Sequence, residues 1–230
     1  MNTGSGIKTA QGKTTQMHFA KNSLTIMRGI LKRHAPSKTK KRLWDQEFAR
    51  GHWNFIDNTV GDCVYPYLAK YAQNGSILDL GCGPGNTANE LAATAYHTYV
   101  GVDISGAAVV KARRRTEENG RGGKNRFAEG DFIDYEPTQQ FDVILFREAM
   151  YHVPLGKVKP MLSRYSDFLK DGGVFVVRMV TGARNSGKNK HRLTAMIEII
   201  KAEYEVLEHG QHGESQATVI IFRPKATQKQ

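Results

Sequence analysis

Cysteine is scarce in this sequence. Cys63 and Cys82 are its only two, too few for a disulfide framework and without the spacing of a metal site. A reducing, cytoplasmic setting is the expectation for such a chain. Long apolar runs are missing as well, and no stretch approaches the roughly eighteen unbroken apolar residues of a membrane span. Acidic residues are absent from one whole region. Between Met1 and Leu43 stand ten Lys/Arg and no Asp or Glu, which leaves 23 basic against 22 acidic residues for the rest. The formal net charge of +11 thus belongs almost entirely to that arm. The near-neutral body offers no general attraction for a phosphate backbone.

The arm, 1–43, opens on a Gly/Ser/Thr/Gln-rich stretch expected to be disordered. Leu24, Met27, Ile30 and Leu31 then recur at helical spacing beside Lys21, Arg28, Lys32 and Arg33, which predicts a basic amphipathic helix ending before Pro36. Such a helix either lies on the domain, with Ser37–Arg42 as a solvated linker, or meets a membrane surface or RNA; an organellar transit segment has the same composition.

The remaining 44–230 reads as one domain, with 44–74 as a helical cover segment. After Gly75 strands and helices alternate. Strands are expected at Ser76–Leu80, Thr98–Val102, Arg126–Glu129, Phe141–Phe146 and Val174–Val180, and helices at Asn86–Ala95 and Gly106–Glu118. Val158, Met161, Leu162, Tyr165, Phe168 and Leu169 mark a further helix, stopped by Asp171-Gly172-Gly173. Another follows at Leu193, Met196, Ile197 and Ile200, and Tyr204–Glu208 with Ala217–Phe222 close the chain as an antiparallel pair. The pattern predicts an α/β fold: a doubly wound, Rossmann-like, mostly parallel sheet with an antiparallel C-terminal strand and helices on both faces.

The stretch Ile77-Leu78-Asp79-Leu80-Gly81-Cys82-Gly83-Pro84-Gly85-Asn86 runs a buried strand into three alternating glycines and then a helix. Glycine suits a tight turn or a backbone that a ligand must approach closely. Dinucleotide-binding loops begin similarly, but they require G-x-G-x-x-G, and here the third glycine comes one residue early. Asp79, polar within an apolar run, must be hydrogen-bonded if buried, and the glycine-loop amides are the expected donors. Thr87 and Glu90 have capping-box spacing.

The D-x-G-x-G-x-G pattern after an apolar strand resembles motif I of the class I S-adenosylmethionine-dependent methyltransferases, small-molecule type, and the similarity runs from Ser76 to about Val180. The resemblance implies a seven-stranded sheet and S-adenosyl-L-methionine as cofactor, held by Asp79, Gly81, Cys82, Gly83 and Gly85. It further implies that Asp103, with Ile104 beside it, binds the ribose hydroxyls, although Asp103 is also placed to cap the next helix. Asp131 and Phe132 would face the adenine. Arg147 opens the segment Arg147-Glu148-Ala149-Met150-Tyr151-His152, which faces the methionine and the acceptor in that family. An Asn-Pro-Pro-Tyr sequence, as in adenine- or amide-methylating relatives, is lacking, and so is a Pro-Cys pair. His152 is the candidate general base, Glu148 a partner for a charged acceptor, and Tyr151 a hydrogen-bonding or stacking group; packing over the sheet edge is the plainer reading of Tyr151 and His152. Trp44-Asp45-Gln46-Glu47-Phe48-Ala49-Arg50-Gly51-His52-Trp53 is similar to the entry segment of bacterial small-molecule methyltransferases, so Arg50 would meet the cofactor carboxylate and Trp53 wall the pocket. Both tryptophans equally suit plain helix anchors. The basic loop Thr181–Lys188 would lie over the acceptor side of the site, which points to an anionic or sugar-like acceptor, unless it is a plain solvated loop. The expected function is therefore methyl transfer to a small molecule, at oxygen or nitrogen rather than carbon. The alternatives are an RNA methyltransferase using the arm, or a cofactor-binding regulator without turnover.

Overall fold

The computed structural model describes residues 26–54, 58–180, 187–213 and 216–226, the side chains of 187–190 excepted. The first described helix, α1, spans 26–34, and Pro36 ends it as expected. The chain does not then become a solvated linker. Pro36 is the N-cap of α2 (Ser37–Ala49), so the expected boundary between arm and domain at 43/44 falls inside a helix. Proline is tolerated here because a helix start needs no amide donor from it.

Beyond α3 (Tyr65–Ala72) the alternation begins: β1 (Ser76–Leu80), α4 (Asn86–Glu90), β2 (Thr98–Asp103), α5 (Gly106–Glu118), β3 (Asn125–Glu129), β4 (Phe141–Arg147), α6 (Leu155–Ser166), β5 (Leu169–Val180), α7 (Gly187–Glu203), β6 (Tyr204–His212) and β7 (Ala217–Pro224). The seven strands are ordered β3-β2-β1-β4-β5-β7-β6. The first five run parallel, and β7 is antiparallel to both β5 and β6. Alternation along each central strand fills two cores. Ile144 and Phe146 join Leu78, Phe175 and Phe222 against Val158, Leu162 and Tyr165 of α6 and Met196 and Ile200 of α7. Val143 and Leu145 join Ile77, Tyr99 and Val176 against Leu68 of α3, Ala88 of α4 and Val109 and Ala112 of α5. Burial on both faces explains why these strands read as continuous apolar runs.

Two local expectations are corrected. The helix after the glycine loop stops at Glu90, and a short 3-10 turn, Ala93–Ala95, replaces its second half. Glu90 makes no capping box; its carboxylate accepts from the Thr59 backbone amide and hydroxyl, the Tyr65 hydroxyl and Arg115. The helix at Val158 ends at Ser166, and Leu169 already belongs to β5, where Gly172 takes a left-handed φ of 77° within the strand. No helix among the described residues is long and apolar enough to cross a membrane.

Candidate active site

A cavity of about 400 Å³ opens over the carboxyl ends of β1, β2 and β4, at the point where the sheet order reverses and where open α/β sheets take ligands. The glycine loop forms its floor. The Gly81 and Cys82 amides both donate to the Val102 carbonyl, at 2.8 and 3.1 Å, which fastens the loop to β2. Gly81 has φ 86°, and a Cβ there would stand 2.7 Å from the Ala149 Cβ. At Gly83 (φ 53°) a Cβ would meet only the Phe48 ring edge, at 3.9 Å, so the missing side chain opens onto the cavity.

Asp103 ends β2 as a buried carboxylate facing this space. Its oxygens accept from the Gly83 amide at 2.9 Å and the Ser105 amide at 2.8 Å. The helix cap that it might have supplied comes instead from the Ser105 hydroxyl, which accepts from the Ala108 amide. Burial raises the Asp103 carboxyl to about 6. Asp79 is likewise raised to about 6 by burial. It takes its hydrogen bond from the Tyr99 hydroxyl, not from the loop amides as expected, and its Oδ1 has no partner. Asp131, Phe132 and Ile133 line the side below β3.

The other half of the cavity is aromatic. Trp44, Phe48 and Trp53 stack in tilted contacts, and the His152 ring meets Trp44 edge-on at 4.9 Å and Tyr151 at 4.5 Å. Lys32 of α1 lies 3.7 Å over Trp44 and donates to Glu47 at 2.6 Å; the Trp53 indole donates to the same carboxylate oxygen at 3.0 Å. Behind Tyr151 sits a buried ionic group. Asp62 pairs with Arg147 at 2.8 Å and with Arg178 at 3.1 Å. Burial alone would raise the Asp62 carboxyl, but the two guanidiniums outweigh it and hold the group below the usual range. Arg178 also pairs with Glu148, whose second oxygen accepts from the Tyr151 hydroxyl at 3.1 Å. Glu148 holds a left-handed φ of 56°, a strained conformation for a residue with a side chain.

Residues 77–173 match the family model described as a methyltransferase domain. That segment, 77–173, runs from the glycine-loop strand into β5, and it is the part of the chain that resembles the class I S-adenosylmethionine-dependent methyltransferases. It is 31% identical over 119 residues to the sterol 24-C-methyltransferase erg6 of Aspergillus fumigatus, covering 50% of this chain and 31% of that protein. It is 32% identical over 135 residues to the sterol 24-C-methyltransferase ERG6B of Gibberella zeae, covering 58% and 32%. The chain thus spans about a third of the length of these relatives. Among solved structures, the N-methyltransferase NodS of Bradyrhizobium japonicum, with bound S-adenosyl-L-homocysteine, shares the fold (TM-score 0.61, 18% identity, covering 78% of this chain and 97% of that one).

Of the residues expected at the site, Asp79, Gly81, Cys82, Gly83, Asp103, Ile104, Asp131, Phe132, Arg147, Glu148, Tyr151, His152 and Trp53 line this one cavity. Two expected members stand elsewhere. Gly85 faces α5, where an added Cβ would come within 2.8 Å of the Ala112 Cβ, so its glycine serves helix packing. Arg50, the C-cap of α2, is exposed and away from the cavity. The surroundings of His152 weigh against the base role expected for it. Burial, with Lys32, Arg33 and Arg192 nearby, lowers its pKa to about 3. The ring is neutral across physiological pH and too weakly basic for an efficient general base. Asp131 is tied to Lys40 and, at 2.8 Å, to Ser37 of α2.

Lys32, Lys40, Thr59, Asp62 and Arg178 line the cavity without having been singled out in the sequence. Arg178 carried a legible signal, a charge inside the apolar strand Val174–Val180, the same kind that marked Asp79. Lys32 and Lys40 looked like part of a solvated basic arm. The loop 181–186 lies outside the described residues.

Proposed function

We propose that this methyltransferase moves a methyl group from S-adenosylmethionine to a small, largely apolar acceptor, at oxygen or nitrogen. When bound, the cofactor supplies an electrophilic methyl group on its sulfonium. The residues present fit it: Gly83, where a Cβ would meet only the Phe48 ring edge, leaves room for a ligand against the backbone. The Asp103 carboxylate keeps lone pairs beyond its two amide bonds for ribose hydroxyls. Phe132 and Ile133 would flank the adenine. Arg147, with a buried Nε that has no partner, takes the place expected for Arg50 beside the methionine carboxylate.

The observation that carries the acceptor class is the aromatic wall of Trp44, Phe48, Trp53 and Tyr151, completed by a neutral His152. It suits an apolar or aromatic body. The carboxylates at this end, Asp62 and Glu148, are each held by arginine. Catalysis then rests on alignment, with Tyr151 and His152 shaping the approach of an acceptor whose lone pair displaces the methyl group; S-adenosylhomocysteine leaves and the proton of an O–H or N–H acceptor passes to solvent. The ionic group behind them fixes Tyr151 through Glu148.

A second reading is methylation at carbon of a sterol-like acceptor, favoured by the two sterol methyltransferases that the chain resembles. The basic arm gives little support to an RNA acceptor, since Lys32, Lys40 and Lys41 are paired with carboxylates of the chain itself. The test is release of S-adenosylhomocysteine against amine, phenol and sterol panels with methyl-labelled cofactor. Label on nitrogen or oxygen upholds the reading, and label on carbon selects the second. Cofactor binding with no release from any panel would leave a binding protein without turnover.

A further inference from the structure

The apolar side of α1 faces outward. Ile26, Met27, Ile30 and Leu31 are 56%, 54%, 47% and 37% exposed, four of the six exposed large hydrophobics among the described residues. At 3.6 residues per turn they form one stripe along the helix, with Arg28 and Arg33 bordering it on either side and exposed His34 within it. Lys32 projects from the opposite side, into the cavity and onto Glu47 and Trp44. The helix is amphipathic with its apolar side outward: one of its three cations, Lys32, is used by the fold, and the apolar stripe is left exposed. Scattered exposed apolar residues need no explanation, whereas a contiguous stripe marks a contact surface.

We propose that the outer face of α1 docks on an anionic lipid bilayer. Two features of the chain select that partner. An apolar stripe flanked by arginines is the pattern of a helix lying in the plane of a bilayer interface, its apolar residues among the acyl chains and its cations at the headgroups. The charge agrees in place as well as in sign. The first 43 residues carry ten Lys/Arg and no acidic residue; Lys32, Lys40 and Lys41 are taken up by carboxylates of the fold, whereas Arg28 and Arg33 border the stripe and Lys38 and Arg42 on the first turns of α2 are exposed. Each cation near an anionic surface strengthens binding severalfold. Because Lys32 joins α1 to the aromatic half of the cavity, docking would bring that half next to the bilayer, a route for an apolar acceptor; this last consequence rests on the function proposed above, the docking does not.

The experiment is flotation of the full chain with vesicles of phosphatidylcholine alone and of phosphatidylcholine mixed with phosphatidylglycerol. It is read beside the double variant Ile26→Glu, Ile30→Glu, with no methyl transfer involved. The wild type is expected to float with the anionic vesicles and at least about tenfold less with the neutral ones. The double variant should lose about tenfold or more, with circular dichroism and S-adenosylhomocysteine affinity unchanged, since both positions are exposed and outside the cavity. A wild type that ignores anionic vesicles would overturn the proposal. So would a variant that floats as well as the wild type, which would assign binding to charge alone. A wild-type dimer that the variant splits into monomers would assign the stripe to a second copy and equally overturn it.

Discussion

Replacing Asp103 by alanine separates binding from folding. In the complex the carboxylate is expected to accept from two ribose hydroxyls, each a hydrogen bond to a charged group worth roughly 1.5–3 kcal/mol. Losing both costs about 3–6 kcal/mol, which is roughly a hundred- to ten-thousandfold in affinity. The same group is a burden on the empty fold. Its pKa of about 6 lies above the ordinary 3.8, so the buried carboxylate costs on the order of 3 kcal/mol near neutral pH. Raised folded-state values mean that Asp103 and Asp79 bind protons more readily in the folded chain than in the unfolded one. Their cost is absent below about pH 4 and complete above about pH 6. Asp103→Ala should therefore leave the melting temperature at pH 7 unchanged or higher, offset in part by the Gly83 and Ser105 amides left without their acceptor. The assay is calorimetric titration with S-adenosylhomocysteine alongside thermal melts. Wild-type affinity should also weaken as pH falls through 6, by up to about tenfold per unit. A variant that binds within threefold of wild type, or one that fails to fold, refutes the reasoning.

Three further perturbations probe the neighbouring parts. The His152 ring should show no NMR titration between pH 5 and 8, because its pKa is held near 3; a midpoint around 6.5 would restore it as a base. Gly85→Ala forces a Cβ against Ala112 at a φ of 77°, so melts should show about 1–3 kcal/mol of destabilisation, while the folded variant keeps near-normal S-adenosylhomocysteine affinity. Large loss of affinity without loss of stability would put Gly85 back in the cofactor site. Arg178→Met strands Asp62 and Glu148 without one of their partners; denaturant unfolding should register roughly 3–5 kcal/mol of lost stability, and a change under 1 kcal/mol would mean that the ionic group is solvated.

The parts legible in the sequence were those whose partners are near in chain order. Ile77–Asn86 announces a strand, a bend and a helix within ten residues, and Asp103 follows its own strand, so local pattern reached both. Pairings across long separations left no local trace. Lys40 meets Asp131 across 91 residues, and Asp62 meets Arg147 across 85. Composition therefore cast Lys40 as a surface charge and gave Asp62 no role. Capping-box spacing at Thr87 and Glu90 misled for the same reason: Thr59, brought in from the cover segment, competes for the glutamate and wins. His152 does line the cavity, but its burial between Trp44 and Tyr151 governs its basicity, and sequence order does not show burial.

A crystal structure of the intact chain with S-adenosylhomocysteine tests the central claim most directly. The account predicts the ribose hydroxyls on Asp103, the adenine between α2 and Phe132, and the sulfur turned toward Tyr151 and His152. Density elsewhere, or a glycine loop that takes up a nicotinamide or flavin nucleotide and not S-adenosylhomocysteine, would contradict it.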